Sequence, residues 1–337
     1  MNASYKAVQL QQPGGPEVLN LVDLPREPLP GTFVRVRAHA IGVGKPDVLI
    51  RKGIYRWMPA LPAVPGNELA GEVVEVGAEL GASWQLGLRV LVSSRELTQR
   101  GGGYAEEICV PASSVFRLPD QVSAADAVAL PNYQLAGALL YESGGRAPKS
   151  IVVHGAAGGV AIALMQVAQA DGVLVIGTAS SAAKCAFARQ QGALHVIDRS
   201  RQNTLEEVQR ITQGRGVDMV LDHVAGPEFG DNLKLLAPLG TLLSYNALAG
   251  LPADNLLGQL RALGGISPAV RAYTIHTLDH DPSLRRQLML RAIELLAAGK
   301  IKPPAATVLK LSQAREAHVM LDAGEVLGKL VLVPDGL

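Results

Sequence analysis

The residues best placed for chemistry in this chain lie where its side chains almost disappear. In Ser150-Ile151-Val152-Val153-His154-Gly155-Ala156-Ala157-Gly158-Gly159-Val160-Ala161, a short apolar run is followed by a turn of glycines and alanines. Beyond the turn, Val160, Ala163, Leu164, Val167 and Ala168 recur at i, i+3, i+4, i+7 and i+8, one apolar face of a helix closed by Gly172. Strand, bare turn and helix N-terminus together form an anion site, because unpaired N–H groups and the positive end of the helix dipole point the same way. The spacing Ala156-x-Gly158-x-x-Ala161 is a variant of the dinucleotide fingerprint, with alanine at its first and last glycine positions. Gly155, Ala156, Ala157, Gly158, Gly159 and Val160 are thus candidate diphosphate contacts. On spacing alone, an ordinary tight strand-to-helix turn fits equally well.

The following strand separates the two readings. In a dinucleotide fold an acid about 20 residues past the glycines holds the ribose 2′-hydroxyl of NAD. That place falls on Thr178, and Ser180, Ser181 and Lys184 come next, with no carboxylate among them. Hydroxyls and an ammonium suit a 2′-phosphate, whose charge an acid would repel. Such a charge-assisted contact contributes about 1.5–3 kcal/mol, or about tenfold to a hundredfold in cofactor preference. The expected cofactor is therefore NADPH. Arg199, after the third strand, is a further candidate for the same phosphate. The alternative is that Ser181 caps the helix of residues 182–191 and Lys184 is a solvated charge.

The whole chain supplies the frame for this loop. Its 337 residues suggest two domains with a large core. A hydrophobic content of 48%, 18% charged residues and 36 glycines describe a compact, loop-rich α/β enzyme. A net charge of +1 gives no electrostatic case for nucleic acid or an anionic membrane. No apolar run reaches the roughly 18 residues needed to cross a bilayer, and the opening Met-Asn-Ala-Ser-Tyr-Lys has no signal-peptide core. A soluble, cytoplasmic protein is expected. Cys109 and Cys185, the only cysteines, exclude a disulfide framework or a four-cysteine zinc lobe and read as small apolar residues.

Residues 4–120 alternate short β-like runs with Gly/Pro turns: Lys6–Leu10, Val18–Val22, Phe33–Ile41, Gly71–Val76, Arg89–Val92 and Ala105–Val110. This is the pattern of a mostly antiparallel, barrel-like domain. From Ser123 the periodicity turns helical, and five strand–helix alternations follow, with strands at 151–153, 173–177, 194–197, 217–222 and 240–245. That is the pattern of a doubly wound parallel sheet. Thr204 and Glu207 have capping-box spacing. Asp281-Pro282 opens a helix reaching Ala298, Ser312 opens another, and Lys329–Val333 is a final strand that returns to the first domain.

Taken in order, Gly53-Ile54-Tyr55, Pro65-Gly66-Asn67-Glu68, Gly71-Glu72-Val73-Val74-Glu75-Val76-Gly77, the His154–Val160 loop, Leu221-Asp222-His223-Val224 and Gly328-Lys329-Leu330-Val331-Leu332 carry a resemblance. The chain resembles the zinc-free quinone oxidoreductase branch, which includes zeta-crystallin, of the medium-chain dehydrogenase/reductase superfamily. The resemblance covers essentially the whole chain. It implies an α/β architecture: a GroES-like β-barrel catalytic domain of residues 1–122 and 272–337, and a Rossmann doubly wound parallel-sheet domain of residues 123–271 that binds NADP. It also implies NADPH in the cleft between the domains and a homodimer or homotetramer; we expect a homodimer. Gly240–Tyr245 and a strand near 266–271 are the sheet edge that two subunits would pair.

Zinc-containing relatives place a cysteine before an Asp, then a Gly-His-Glu. The corresponding positions here are Gly44 in Val43-Gly44-Lys45-Pro46-Asp47 and Asn67 in Gly66-Asn67-Glu68. Neither replaces a thiolate or imidazole ligand, and residues 80–103 hold no cysteine, so no metal is expected. Without a Lewis acid, alcohol oxidation loses the stabilisation of its developing alkoxide. Reduction of a quinone or an α,β-unsaturated carbonyl needs mainly a correctly placed hydride. The sequence departs from the branch at Gly44, where asparagine is usual, and at Leu135 in Asn132-Tyr133-Gln134-Leu135, where threonine is usual.

The resemblance brings further residues into view. Tyr55 lines the expected mouth of the active site as a proton or hydrogen-bond donor, or packs beside Trp57. Asn67 is a candidate contact to nicotinamide or substrate. Asp47 is expected to anchor local backbone, and Glu68 to pair with a nearby Arg or Lys. Asn132 and Tyr133 are within expected reach of the nicotinamide, and His154 reads as a satisfied core histidine. His223, Val224 and Asn246 follow strands and face the expected cofactor. Arg271 and Lys329 reach toward cofactor phosphate or are solvated. The expected activity is metal-independent, NADPH-dependent reduction of a quinone or enone. A 2-enoyl thioester or alkenal reductase, and a catalytically weak NADPH-binding sensor or structural protein, are the alternatives.

Overall fold

The computed structural model describes residues 4–252, 255–324 and 326–336. The chain divides into two compact units, Met1–Pro131 with Pro304–Leu337, and Asn132–Pro303.

The first unit is built on one long strand. Phe33–Val43 is buried along most of its length, with only Phe33, Arg37 and His39 more exposed, and pairs antiparallel with Glu68–Val76 over most of its length. Its other edge is shared. Phe33 to Arg37 pair with Glu107–Pro111, and Ile41 to Val43 pair with Lys329–Val333. The remaining strands complete a seven-stranded sheet around a core that includes Val36, Ile41, Leu69, Val73, Val90, Tyr104, Leu330 and Leu332. Ser4–Gln9 and Asn20–Pro25 form a separate antiparallel pair. The second of these starts later than its β-like run because Pro16 opens a 3₁₀ turn, Pro16–Val18.

The second unit holds a six-stranded, wholly parallel sheet. Its order is His195–Asp198, Leu174–Ala179, Ser150–His154, Val217–Asp222, Leu236–Ser244 and Ala269–Ala272. The chain starts at the third position, runs outward, then crosses to the other half, so a topological switch point lies beside Ser150–His154. Both faces of that strand are buried, as its unbroken apolar run requires. The helix Gly159–Ala170 covers one face with Ala161 to Ala168, and Gly172 follows it at φ 76°.

Two boundaries differ from the sequence expectation. Residues 123–131 fall in the first unit and residues 272–303 in the second. The latter stay because the helix Pro282–Ala297 is anchored there. Leu288 packs with Ala138, Ile275 and Leu278, Arg285 O accepts from Gln134 Nε2 at 2.9 Å, and Arg291 binds Asp171 at 2.6 Å. Local caps also shift. Asn203, not Thr204, caps the helix Thr204–Ile211, accepting from Leu205 N and Glu206 N, since asparagine outranks threonine at this position. Ser312 binds Asp335 within a 3₁₀ turn, and the helix begins at Ala314. Ser181 and Asp281 cap as expected. Among the described residues, no helix is long and apolar enough to cross a membrane.

Candidate functional site

In the second unit the chain leaves Ser150–His154 through Gly155, whose φ of 64° belongs to the left-handed region. A side chain here would also collide, since a Cβ would lie 2.4 Å from His223 Cε1. Ala156 N donates to Thr178 O at 2.9 Å, tying the turn to the neighbouring strand, and Gly158 N donates to Gly155 O at 2.9 Å. Ala156 and Ala157 bury their methyl groups. The helix then starts at Gly159 from Gly158, which has no side chain to cap it. Its first-turn N–H groups are therefore left for an external acceptor, the arrangement that binds phosphate.

Beneath the turn runs a buried polar chain. His154 Nδ1 meets Thr178 Oγ1 at 2.8 Å and its Nε2 meets Asn232 Oδ1 at 2.8 Å. Asn232 Nδ2 donates to Asp222 Oδ2 at 3.2 Å, while Asp222 Oδ1 accepts from Val224 N at 2.7 Å and Ala225 N at 3.2 Å. His154 is thus a satisfied core histidine, and burial, only partly offset by Asp222, lowers its proton affinity. Thr178, expected beside a 2′-phosphate, is fully buried with its hydroxyl committed to His154. The amide of Val224 is likewise taken by Asp222, leaving its remaining surface to line the adjoining cavity.

That cavity, about 670 Å³, opens at the C-terminal ends of the parallel strands. Ser180, Arg199, Ser200, Val224, Asn232 and Lys234 are among its walls. Arg199 is exposed, on a turn fixed from both sides. Its N–H donates to Ala179 O at 2.9 Å, and Asp198 Oδ1 accepts from Ser200 N at 3.0 Å and Ser200 Oγ at 2.6 Å. The Ser200 hydrogen bonds hold the Asp198 carboxyl below its ordinary range. Ser181 accepts from Lys184 N at 3.3 Å, so the capping role is present whatever else its hydroxyl does. Lys184 is exposed on the same turn of helix.

His223 and Asn246 also stand at strand ends. The His223 imidazole lies against Gly155, with Tyr245 OH 3.2 Å from its Nδ1. Asn246 is exposed, and its Oδ1 accepts from Ala247 N at 2.9 Å. Arg271 donates to Gly144 O at 3.1 Å. Asn132 is half-buried in the helix Leu130–Tyr141, and Tyr133 is buried with its hydroxyl on Gln166 at 2.9 Å. Asn232, Tyr245 and the capping role of Asp222 were not singled out in the sequence. An Asp followed by a non-regular segment is a known signature of such a turn, but Asn232 lies ten positions further on with no spacing to mark it.

The first unit has its own polar cluster. Asp47, buried at the start of the helix Lys45–Arg51, accepts from Gly44 N at 2.8 Å, Gly66 N at 3.1 Å and Asn67 Nδ2 at 2.6 Å. It anchors backbone, as expected. Burial and the nearby Glu68 push its carboxyl up to about 6, against the opposing pull of Asn67 and the Gly44 amide. Gly66, at φ 100°, passes so close to Tyr104 N that a Cβ would come within 2.3 Å. Asn67 Oδ1 takes the Ser94 hydroxyl. Both ends of its amide are engaged, which weakens the sequence-based case for Asn67 as a substrate contact. Tyr55 is half-buried, its ring centroid 5.7 Å from Trp57, and packs on the core. Lys329 corrects another expectation. It is buried, and its ammonium binds Glu68 instead of extending toward a phosphate. Cys185 is buried and Cys109 exposed.

Zinc does not fit this cluster. Glycine occupies one ligand position, an amide bound to Asp47 and Ser94 occupies the other, and Glu68 is neutralised by Lys329. Among the described residues, no group of three or more His, Cys, Asp or Glu is placed to share a metal ion.

Comparison with known proteins agrees with this architecture. The family model "Alcohol dehydrogenase GroES-like domain" matches residues 31–120, and "Zinc-binding dehydrogenase" matches residues 191–332. The chain is 34% identical to a quinone oxidoreductase of Pseudomonas aeruginosa, over 98% of this chain and 99% of that protein. It is 32% identical to the mouse synaptic vesicle membrane protein VAT-1 homolog, over 92% of this chain and 78% of that one. The crystal structure of Escherichia coli quinone oxidoreductase complexed with NADPH superposes with a TM-score of 0.83 at 28% identity, over 98% of this chain and all of that one. With a GroES-like strand framework, a parallel-sheet unit and matches along nearly its whole length, the chain belongs to the quinone-oxidoreductase-like branch of the medium-chain dehydrogenase/reductase superfamily.

Proposed function

We propose that this protein is a metal-independent oxidoreductase that uses NADPH to reduce a quinone or another α,β-unsaturated carbonyl. The observation that carries the proposal is the composite anion site of the second unit. An uncapped helix N-terminus follows a bare turn, and the adjoining cavity is walled by Ser180 and Arg199, with no carboxylate at the end of the strand Leu174–Ala179. Gly155 to Val160 would hold the diphosphate through backbone amides, and Arg199, Ser180 and Lys184 the 2′-phosphate. Bound NADPH supplies a hydride; the chain supplies grip, orientation and shelter from water. The Escherichia coli neighbour, crystallised in complex with NADPH, supports the same cofactor here, and the quinone oxidoreductase relatives support the acceptor class. Because the polar cluster of the first unit does not fit zinc, no step is routed through a metal.

The test is steady-state turnover with NADPH against NADH over a panel of quinones, enones and enoyl thioesters. Preference for NADPH with turnover of quinones or enones is the expected result. Equal or better use of NADH removes the cofactor assignment, and no turnover with any acceptor removes the reaction. A homodimer is part of the same proposal. Ala269–Ala272 is the outermost strand of the parallel sheet and mostly exposed, a natural edge for a second copy. A monomer in light scattering at micromolar concentration would contradict it.

A further inference from the structure

His223 lies against the glycine turn, and its surroundings define which way it faces. Its ring sits directly over the first residue of the turn. A Cβ built on Gly155 would be 2.4 Å from Cε1, 3.0 Å from Nε2 and 3.5 Å from Nδ1. The Cε1–Nε2 edge is thus the one turned to the glycine, while Nδ1 is directed to Tyr245 OH at 3.2 Å. The two rings lie 5.5 Å apart at an interplanar angle of 36°. Tyr245 is the first residue after the strand Leu236–Ser244, and His223 the first after its neighbour Val217–Asp222. The pair is therefore held at adjacent strand ends, with Tyr245 N donating to Asp222 O at 3.0 Å.

The Tyr245 hydroxyl and His223 Nδ1 share one hydrogen, and whichever donates it sets the imidazole tautomer. Burial, with Asp222 nearby, holds the phenol well above its ordinary range, so the hydroxyl keeps its proton. Among the described residues, His223 Nδ1 is its hydrogen-bond partner. Where the hydroxyl donates to Nδ1, the imidazole proton stands on Nε2, on the edge facing the turn. The other titratable or charged groups near the ring are Asp222, Arg199 and His154. Asp222 is committed to the amides of Val224 and Ala225 and to Asn232, and burial keeps His223 neutral at pH 7.

We infer that His223 donates a side-chain hydrogen bond from Nε2 to the cofactor diphosphate, and that Tyr245 is the positioning residue that fixes the ring and tautomer required. This rests on the proposed function, and adds to the backbone amides of the turn a donor whose strength follows pH. The experiment is equilibrium titration of NADPH by nucleotide fluorescence, with thermal unfolding run in parallel to confirm folding. His223→Leu should weaken NADPH binding about tenfold, the effect of losing a hydrogen bond to a charged group. His223→Gln, which restores an N–H near the Nε2 position, should recover most of it. Tyr245→Phe should weaken binding severalfold at pH 8. That deficit should shrink toward pH 5.5, because an imidazolium donates from both nitrogens and no longer needs its tautomer chosen. A merely structural role would give no recovery on acidification. Wild-type binding with unchanged affinity in His223→Leu, or a Tyr245→Phe deficit that ignores pH, overturns the inference alone. Failure of the wild type to bind NADPH overturns it together with the proposed function.

Discussion

Lys329 and Glu68 form a largely buried ion pair across the face of Gly42, which lies on the strand between theirs. Glycine is needed there for space. A Cβ at residue 42 would come within 2.1 Å of Glu68 Oε2 and 3.1 Å of Lys329 Cε. Breaking such a pair leaves one uncompensated buried charge, at a cost of about 3–5 kcal/mol. Lys329→Met should lower stability by that order in denaturant titration. The double variant with Glu68→Gln should lose less, since no charge is then stranded. Equal losses would show that the ammonium matters only as packing.

Asp47 gives a pH dependence opposite to that of an ordinary salt-bridged carboxylate. Its folded-state carboxyl is raised from 3.8 to about 6, so the folded protein holds a proton that the unfolded chain has released over that window. Stability then falls as pH rises between those values and is level above them. The displacement corresponds to about 3 kcal/mol. In unfolding curves at pH 4.5 and pH 7, Asp47→Asn should remove this fall relative to wild type. A variant that follows the wild-type profile would place the titration elsewhere.

Arg199 is a cation on the cavity wall whose backbone is fixed through Ala179, Asp198 and Ser200. Arg199→Ala should reduce kcat/KM with NADPH about tenfold to a hundredfold, with NADH nearly unchanged. A parallel loss with both cofactors would assign the residue to shared parts of the nucleotide.

Gly155→Ala combines a left-handed φ of 64° with a contact 2.4 Å from the His223 ring. The backbone term alone is about 1–2 kcal/mol. A lowered Tm and an NADPH affinity weakened more than tenfold are expected. Normal affinity would mean that the turn can relax without disturbing its amides.

The parallel sheet was readable in the sequence because each of its first five strands is an apolar run with helical periodicity after it, and Val217–Asp222 even has the expected ends. The turn from Gly155 was readable because absent side chains are themselves a pattern. Side-chain direction was not. Thr178 lies next to last in its strand, yet its hydroxyl turns inward to His154. Lys329 was placed on the correct strand, but only the structure brings Glu68 beside it, 261 positions away. The domain boundary at residue 272 failed for the same reason: the helix Pro282–Ala297 could have served either unit, and Ala138 and Gln134 decide which.

The strand Phe33–Val43 has part of one edge completed by Lys329–Val333, which the chain supplies only after the whole of Asn132–Pro303. During N-to-C synthesis that edge stays open until Lys329–Val333 has been made, after all of Asn132–Pro303 has been synthesised. The inserted unit can therefore mature first, with the flanking segments waiting as an unclosed hairpin array that is prone to sticking to other chains. Released chains truncated before residue 329 should show a protease-resistant central fragment and a sensitive N-terminal region, and protection of both would contradict this order of assembly.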